Sequence, residues 1–247
     1  MTHWIQSDDG SYTAYSPEYN EHYHSTKDGA LNESLKKHIE PAFALHGDKN
    51  HLRIIDICFG LGFNTLLSLY YRDTYFPETT LEIFSPELDG ALVASLVTFP
   101  YPTLFDPYKR VITDIVTKGN YHDERTTITV QITDARVAMR ALEGEWDVCY
   151  HDAFSPVHNP TLWTHEYFHD VARLMGKMGV VTTYSTALAT RLALHENGFG
   201  IYLNTGEGYR NATIASRQTL TRYEKVNMEH KMKCNPQGRS LRDGIDV

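Results

Sequence analysis

Between Trp4 and Tyr15 apolar and polar residues alternate on either side of Asp8, Asp9, Gly10 and Ser11. An Asp-Gly step between two alternating runs predicts a β-hairpin. The period then lengthens, with Leu31, Leu35, Ile39 and Phe43 recurring every three to four positions, which predicts a helix over residues 30–46. Short apolar runs follow at residues 52–58, 81–84, 128–132, 146–150, 179–184, 199–203 and 212–216, each read as a buried strand. Helical stretches separate several of them, at residues 63–71, 166–175 and 187–197, the last closed by Gly198 as its C-cap. Residues 99–121 carry Pro100, Pro102 and Pro107 and read as an irregular excursion between the second and third strands. Strand and helix in alternation imply an α/β, Rossmann-like architecture, a mostly parallel sheet with helices on both faces, preceded by a β-hairpin and helix extension.

A chain of 247 residues has room for one large domain with its own core. The expected organisation is an N-terminal extension at 1–50, a main domain at 51–217 and a C-terminal tail at 218–247. Apolar residues at 41% and charged residues at 22% suit a globular protein and argue against long disorder. No run approaches the roughly 20 apolar residues of a membrane helix, and residues 1–6 lack a basic, then apolar, signal pattern. A cytoplasmic location without membrane contact is the expectation. Cys58, Cys149 and Cys234 show no paired metal-ligand spacing and read as buried free thiols. The net charge of -8 works against binding a polyphosphate chain, so any nucleic acid must meet a local basic patch. Arg210, Arg217, Arg222, Lys225, Lys231, Lys233, Arg239 and Arg242 gather toward the C-terminus, as a solvated tail or as an RNA contact.

The segment Asp56-Ile57-Cys58-Phe59-Gly60-Leu61-Gly62-Phe63-Asn64 places an acid and two glycines where the first strand turns into its helix. Glycines admit a ligand close to the backbone, and a helix N-terminus offers free N–H groups. The third glycine of a dinucleotide fingerprint is absent, Thr65 standing in its place, which disfavours a pyrophosphate cofactor. Glu87 follows the second strand, where an acid can accept ribose hydroxyls, and Asp134-Ala135 follows the third, where an adenine can be met. The fourth strand ends in Asp152-Ala153-Phe154-Ser155-Pro156, continuing to Trp163, and Asp152 either positions a nucleophile or caps the loop. His165-Glu166-Tyr167-Phe168-His169 fits the spacing of a zinc hydrolase, with Glu196 as the best third ligand, but Ala172 and Met175 break the usual continuation.

These residues resemble a known family, the methyltransferase domain of the bacterial tRNA 5-methylaminomethyl-2-thiouridine biosynthesis enzyme (MnmC, or MnmD when free-standing). The likeness runs over most of residues 5–217. It rests on Asn20-Glu21-His22-Tyr23-His24-Ser25, Gly29-Ala30-Leu31-Asn32-Glu33-Ser34, the Phe59 to Asn64 loop, Asp152 to Pro156, Asn159-Pro160-Thr161-Leu162-Trp163, and Tyr184-Ser185-Thr186. The resemblance implies a class I S-adenosylmethionine methyltransferase. Its cofactor would be held by Asp56, Phe59, Gly60, Gly62, Asn64, Glu87, Asp134, Ala135 and Asp152. Tyr23, His24, Glu33, Phe154, Pro156, Trp163 and Tyr184 would take the substrate, and Asp152 would be catalytic. Tyr15 joins Tyr23 and His24 as a candidate lid or base-stacking residue. The implied acceptor is the 5-aminomethyl group of a wobble 2-thiouridine in tRNA, with a separate FAD-dependent or GTPase tRNA-modifying partner as a further expectation. One departure stands out: Gly208-Tyr209-Arg210-Asn211-Ala212-Thr213 keeps one Arg where the family carries a basic stretch. The oxidoreductase domain of some relatives is not expected in this sequence. Alternatives are a small-molecule amine methyl- or aminopropyltransferase, a cofactor-binding partner without catalysis, and the zinc hydrolase.

Overall fold

A computed structural model describes residues 4–247; residues 1–3 of the expected extension lie outside the described residues. The alternating opening folds as a hairpin, β1 (Trp4–Gln6) against β2 (Tyr12–Ser16), with Trp4 facing Ala14 across the pair, and β3 (Glu21–His22) adds to the free edge of β2. The predicted helix is present but interrupted: α1 (Ala30–Ser34) and α2 (Glu40–His46) are joined by a π-helical turn, Leu35–Ile39.

The chain then builds the main sheet. In order come β4 (His51–Ile57), α3 (Phe63–Tyr75), β5 (Thr80–Glu87), α4 (Gly90–Ser95), α5 (Lys109–Lys118), β6 (Asn120–His122), β7 (Thr126–Ile132) and α6 (Ala135–Ala141). There follow β8 (Trp146–His151), α7 (His165–Leu174), β9 (Met175–Thr183), α8 (Leu188–Glu196), β10 (Gly200–Asn204), β11 (Ala212–Ser216), β12 (Glu224–Lys225) and α9 (Met228–Cys234). Among the described residues the sheet has nine strands in the order β12-β10-β11-β9-β8-β4-β5-β7-β6. The run β9-β8-β4-β5-β7 is parallel, whereas β11 is antiparallel to both of its neighbours, and β6 and β12 close the two edges antiparallel. One face is covered by a core that includes Phe43, Phe63, Leu66 and Ile112, the other by Phe168, Val171, Met139 and Leu194. Both faces are covered over β4, β8 and the second half of β9, which is why those strands read as nearly continuous apolar runs, whereas β7 alternates buried and exposed positions.

The structure differs from the expected elements in several places. The excursion at residues 99–121 is half regular: Val111, Ile112 and Ile115 make the buried stripe of α5, and β6 returns to pair with β7. The prolines lie before the helix, where they limit the backbone without breaking it. Helices α4 and α6 are short, capped by Asp89 and Asp134, and too brief to show a period in sequence. The segment 218–247 folds back, with β12 paired to β10 and Arg242 reaching Glu166 on α7 and Glu196 on α8. Of the cysteines only Cys149 is buried; Cys58 is partly exposed and Cys234 exposed, because the first sits in a turn at the end of its strand and the second on a surface helix.

Strands β4, β5, β7 and β8 all present their carboxyl ends on one side, and the chain reverses direction of winding between β4 and β8. Open α/β sheets bind ligands at such a switch point, in the crevice beyond the strand ends.

Candidate functional site

At that crevice the chain leaves β4 through a loop in which Gly60 has φ of 54° and Gly62 φ of 77°. Both values lie in the left-handed region that L side chains avoid. A Cβ at Gly62 would also come within 3.0 Å of Phe59 Cζ, so the loop requires glycine there on two counts. Gly62 is the N-cap residue of α3, and the first N–H groups of a helix are free for an incoming ligand. The Gly60 N–H donates to Glu87 Oε2 at 2.8 Å, and the Asp89 N–H donates to Oε1 at 2.8 Å. Glu87, at the end of β5, is thereby fixed with its carboxylate at the rim of the crevice, although burial pushes its pKa up.

The crevice opens into a cavity of about 640 Å³, ample for a nucleoside cofactor with part of an acceptor. Phe59, Gly60, Asn64, Glu87, Asp134 and Ala135 line it from the strand ends. Asp134 also caps α6, accepting from the N–H groups of Arg136 at 2.7 Å and Val137 at 3.1 Å. Tyr23, His24, Glu33, Asp152, Phe154 and Tyr184 line it from the extension and from the loops after β8 and β9. The remaining expected residues stand behind or beside the wall. Asp56 is wholly buried under the loop, where its Oδ2 accepts from Thr65 Oγ1 at 2.8 Å and its Oδ1 from Asn64 Nδ2 at 3.2 Å. Burial raises its pKa to about 7, against the lowering effect of those bonds. Trp163 is fully buried and donates Nε1–H to the Phe154 carbonyl at 2.7 Å, so it supports the loop after β8 from below. Gly62 and Pro156 shape their loops without lining the cavity, and Tyr15 turns away to bond Asn20.

Asp152 is the focus of the far wall. Its Oδ2 accepts from Asn64 Nδ2 at 3.1 Å, and its Oδ1 lies 3.6 Å from His38 Nε2, in ion-pair range but beyond a hydrogen bond. Burial alone would raise its pKa, but His38, His24 and Asn64 outweigh it and hold the carboxyl well below the usual carboxylate range. Asn64 spends its amide nitrogen on two carboxyls, which fixes its orientation and leaves Oδ1 buried without a partner. A buried acceptor of this kind is costly unless a ligand N–H completes it.

The π turn contributes two groups that the helical period did not single out. His38, fully buried, exchanges a hydrogen bond with Thr182 Oγ1 through Nδ1 at 2.8 Å. Lys37 is 1% exposed and pairs with Glu33 Oε1 at 2.6 Å and Asp28 Oδ2 at 3.3 Å, while Arg210 holds Asp28 from outside at 2.9 Å. Burial would raise Glu33, but His24 and Lys37 bring its pKa down to about 2. Two more residues outside the expected site set reach the cavity: Tyr19, stacked on Phe154 with centroids 4.6 Å apart, and Glu21, whose Oε2 accepts the Ser155 N–H at 3.0 Å. A Lys and a His side by side among the apolar positions of a predicted helix was the one available signal for the π-turn pair.

The His165, Glu166 and His169 pattern does not assemble a metal centre. His165 pairs with Glu196 at 3.1 Å, and Arg242 engages both Glu166 and Glu196 with its guanidinium. Among the described residues no three His, Cys, Asp or Glu side chains come together to hold a metal.

The family model for S-adenosyl-L-methionine-dependent methyltransferases matches residues 104–218. An uncharacterised protein of Methanocaldococcus jannaschii is 29% identical over 233 residues, which cover 90% of this chain and 62% of that protein. The tRNA 5-methylaminomethyl-2-thiouridine biosynthesis bifunctional protein MnmC of Paraburkholderia xenovorans is 26% identical, over 83% of this chain and 33% of the relative. The chain thus spans less than two thirds of the length of these curated relatives. Among solved structures, MnmC2 of Aquifex aeolicus superposes with a TM-score of 0.84 at 29% identity, covering 98% of this chain and 78% of the other.

Proposed function

We propose that the chain is an S-adenosyl-L-methionine-dependent methyltransferase related to MnmC, and that it methylates the 5-aminomethyl nitrogen of a wobble 2-thiouridine in tRNA. The site residues fit the cofactor. Glu87, fixed by two backbone amides, would take the ribose hydroxyls; Asp134 and Ala135 would border the adenine; the start of α3 and the unpartnered Asn64 Oδ1 would meet the amino-acid end. Once bound, S-adenosylmethionine supplies an electrophilic methyl group, the C–S electron pair remaining with sulfur.

One observation carries the choice of acceptor. The wall opposite the cofactor loop is acidic, with Asp152, Glu33 and Glu21 in it and Arg210 as its surface cation, and Tyr19 and Phe154 stack at its rim. An acidic pocket receives an alkylammonium, which is the form such an amine takes near neutral pH. Stacked aromatics suit a flipped-out base. Asp152 holds the nitrogen in line; a carboxyl kept so far below its ordinary range is a poor proton acceptor.

Nucleoside mass spectrometry of tRNA from a deletion strain tests the assignment. Accumulation of the aminomethyl nucleoside with loss of its methylated form is the expected result. Unchanged nucleosides in that strain, with purified enzyme labelling only free polyamines, would move the activity to small amines, which the acidic wall also suits.

A further inference from the structure

His24 follows β3 and forms part of the cavity wall, its ring set edge-on to Phe63 with centroids 5.4 Å apart. Its backbone N–H is held by Thr13 Oγ1 at 3.0 Å. Its Nδ1 is buried, has no hydrogen-bond partner and stands 3.8 Å from Glu33 Oε2. Glu33 cannot turn away, because Lys37 Nζ holds one oxygen at 2.6 Å and the Ser25 N–H the other at 3.0 Å. A fixed carboxylate facing one ring nitrogen selects the tautomer with its proton on that side and leaves the lone pair on the other nitrogen.

Resting on the amine reading above, we propose that His24, backed by Glu33, is the catalytic residue that takes the proton from the acceptor ammonium, while Asp152 holds the nitrogen. The ammonium N–H bond breaks, its electron pair stays on nitrogen, and the proton joins Nε2 to give an imidazolium. The freed lone pair then forms the N–C bond. The product leaves as a secondary ammonium, and the imidazolium returns its proton to solvent. Charges around His24 favour this role: Glu33 on α1, Asp152 after β8 and Asp56 on β4 face it, with Lys37 behind Glu33. Burial pushes the imidazole's pKa down, yet Glu33, Asp152 and Asp56 together leave it raised, which narrows the gap to an alkylammonium.

The test uses the full chain with tRNA carrying the aminomethyl nucleoside. His24→Gln is the first variant, and His24→Asn carries the same test should the first not fold. Calorimetry should give a cofactor Kd within about threefold of wild type, while single-turnover methylation at neutral pH falls by about 100-fold. As the buffer approaches about pH 10, where an alkyl amine sheds its proton unaided, the deficit should shrink to under about tenfold. A deficit of the same size at both pH values, or none at neutral pH, overturns the assignment of His24. Wild-type enzyme that methylates no amine overturns the amine reading, and this inference with it.

Discussion

Gly62 holds a left-handed backbone against the ring of Phe59, and Gly62→Val would add both a disfavoured φ and a side chain that crowds that ring. The backbone term alone costs about 1–2 kcal/mol. Cofactor affinity by calorimetry should therefore drop by more than about tenfold, and a variant binding normally would remove the loop from the site. Asp152→Ala should behave in the opposite way. It leaves the strand-end loop intact, so cofactor Kd should stay within about threefold while turnover falls about 100-fold, read by single-turnover assay. The two outcomes separate a residue that shapes the cofactor loop from one that orients the acceptor. The places of Glu87, Asp134 and Asp152 on the cavity were legible because each lies just past the end of an apolar run, and parallel strands put such positions on one side. Asp56 falls on the face of β4 that α3 covers, so its side chain points under the loop to Asn64 and Thr65 rather than into the cavity.

At the scale of elements, the π turn at Leu35–Ile39 sets the acceptor wall. Its extra residue per turn rotates Lys37 and His38 together into the interior, and Asn204 Nδ2 donates to the Lys36 carbonyl at 2.9 Å, satisfying a group the widened turn releases. Lys37→Met would leave Glu33 and Asp28 buried without their shared cation, a change worth about 3–5 kcal/mol. The sign with pH follows from Glu33, whose pKa in the fold is depressed to about 2. Its stabilisation is complete above the unfolded value near 4.3 and is lost as pH falls toward 2. Thermal melting should thus show the largest gap between wild type and Lys37→Met near neutral pH, narrowing in acid. A gap that widens below about pH 4 would contradict the ion-pair assignment. Such a turn is invisible to a 3.6-residue period, since Leu31, Leu35, Ile39 and Phe43 read equally well as uninterrupted helix.

For the whole molecule, charge is the unusual property. If tRNA is the substrate, as proposed, a chain of net charge -8 with an acidic cavity would bind it through few phosphate contacts and draw its selectivity from the base and its amine. The logarithm of tRNA affinity should fall with the logarithm of salt at a slope no steeper than about -3, measured by fluorescence anisotropy. A much steeper slope would point to a basic surface formed by the C-terminal segment. Periodicity along the chain was enough to predict a mostly parallel sheet covered on both faces, because strands buried on both faces must be apolar at nearly every position. The same apolar runs located the strand ends and so the cofactor crevice. What they could not supply was the acidic wall opposite the cofactor loop, which joins β3, α1 and the loop after β8 from distant parts of the sequence, with the π turn behind it. Glu21, His24, Glu33 and Asp152 meet there only because the hairpin packs across the sheet, and the protonation of His24, Glu33 and Asp152 depends on the neighbours they meet. Local pattern fixes which residues are buried; tertiary packing decides which charges face one another, and those pairings set the chemistry.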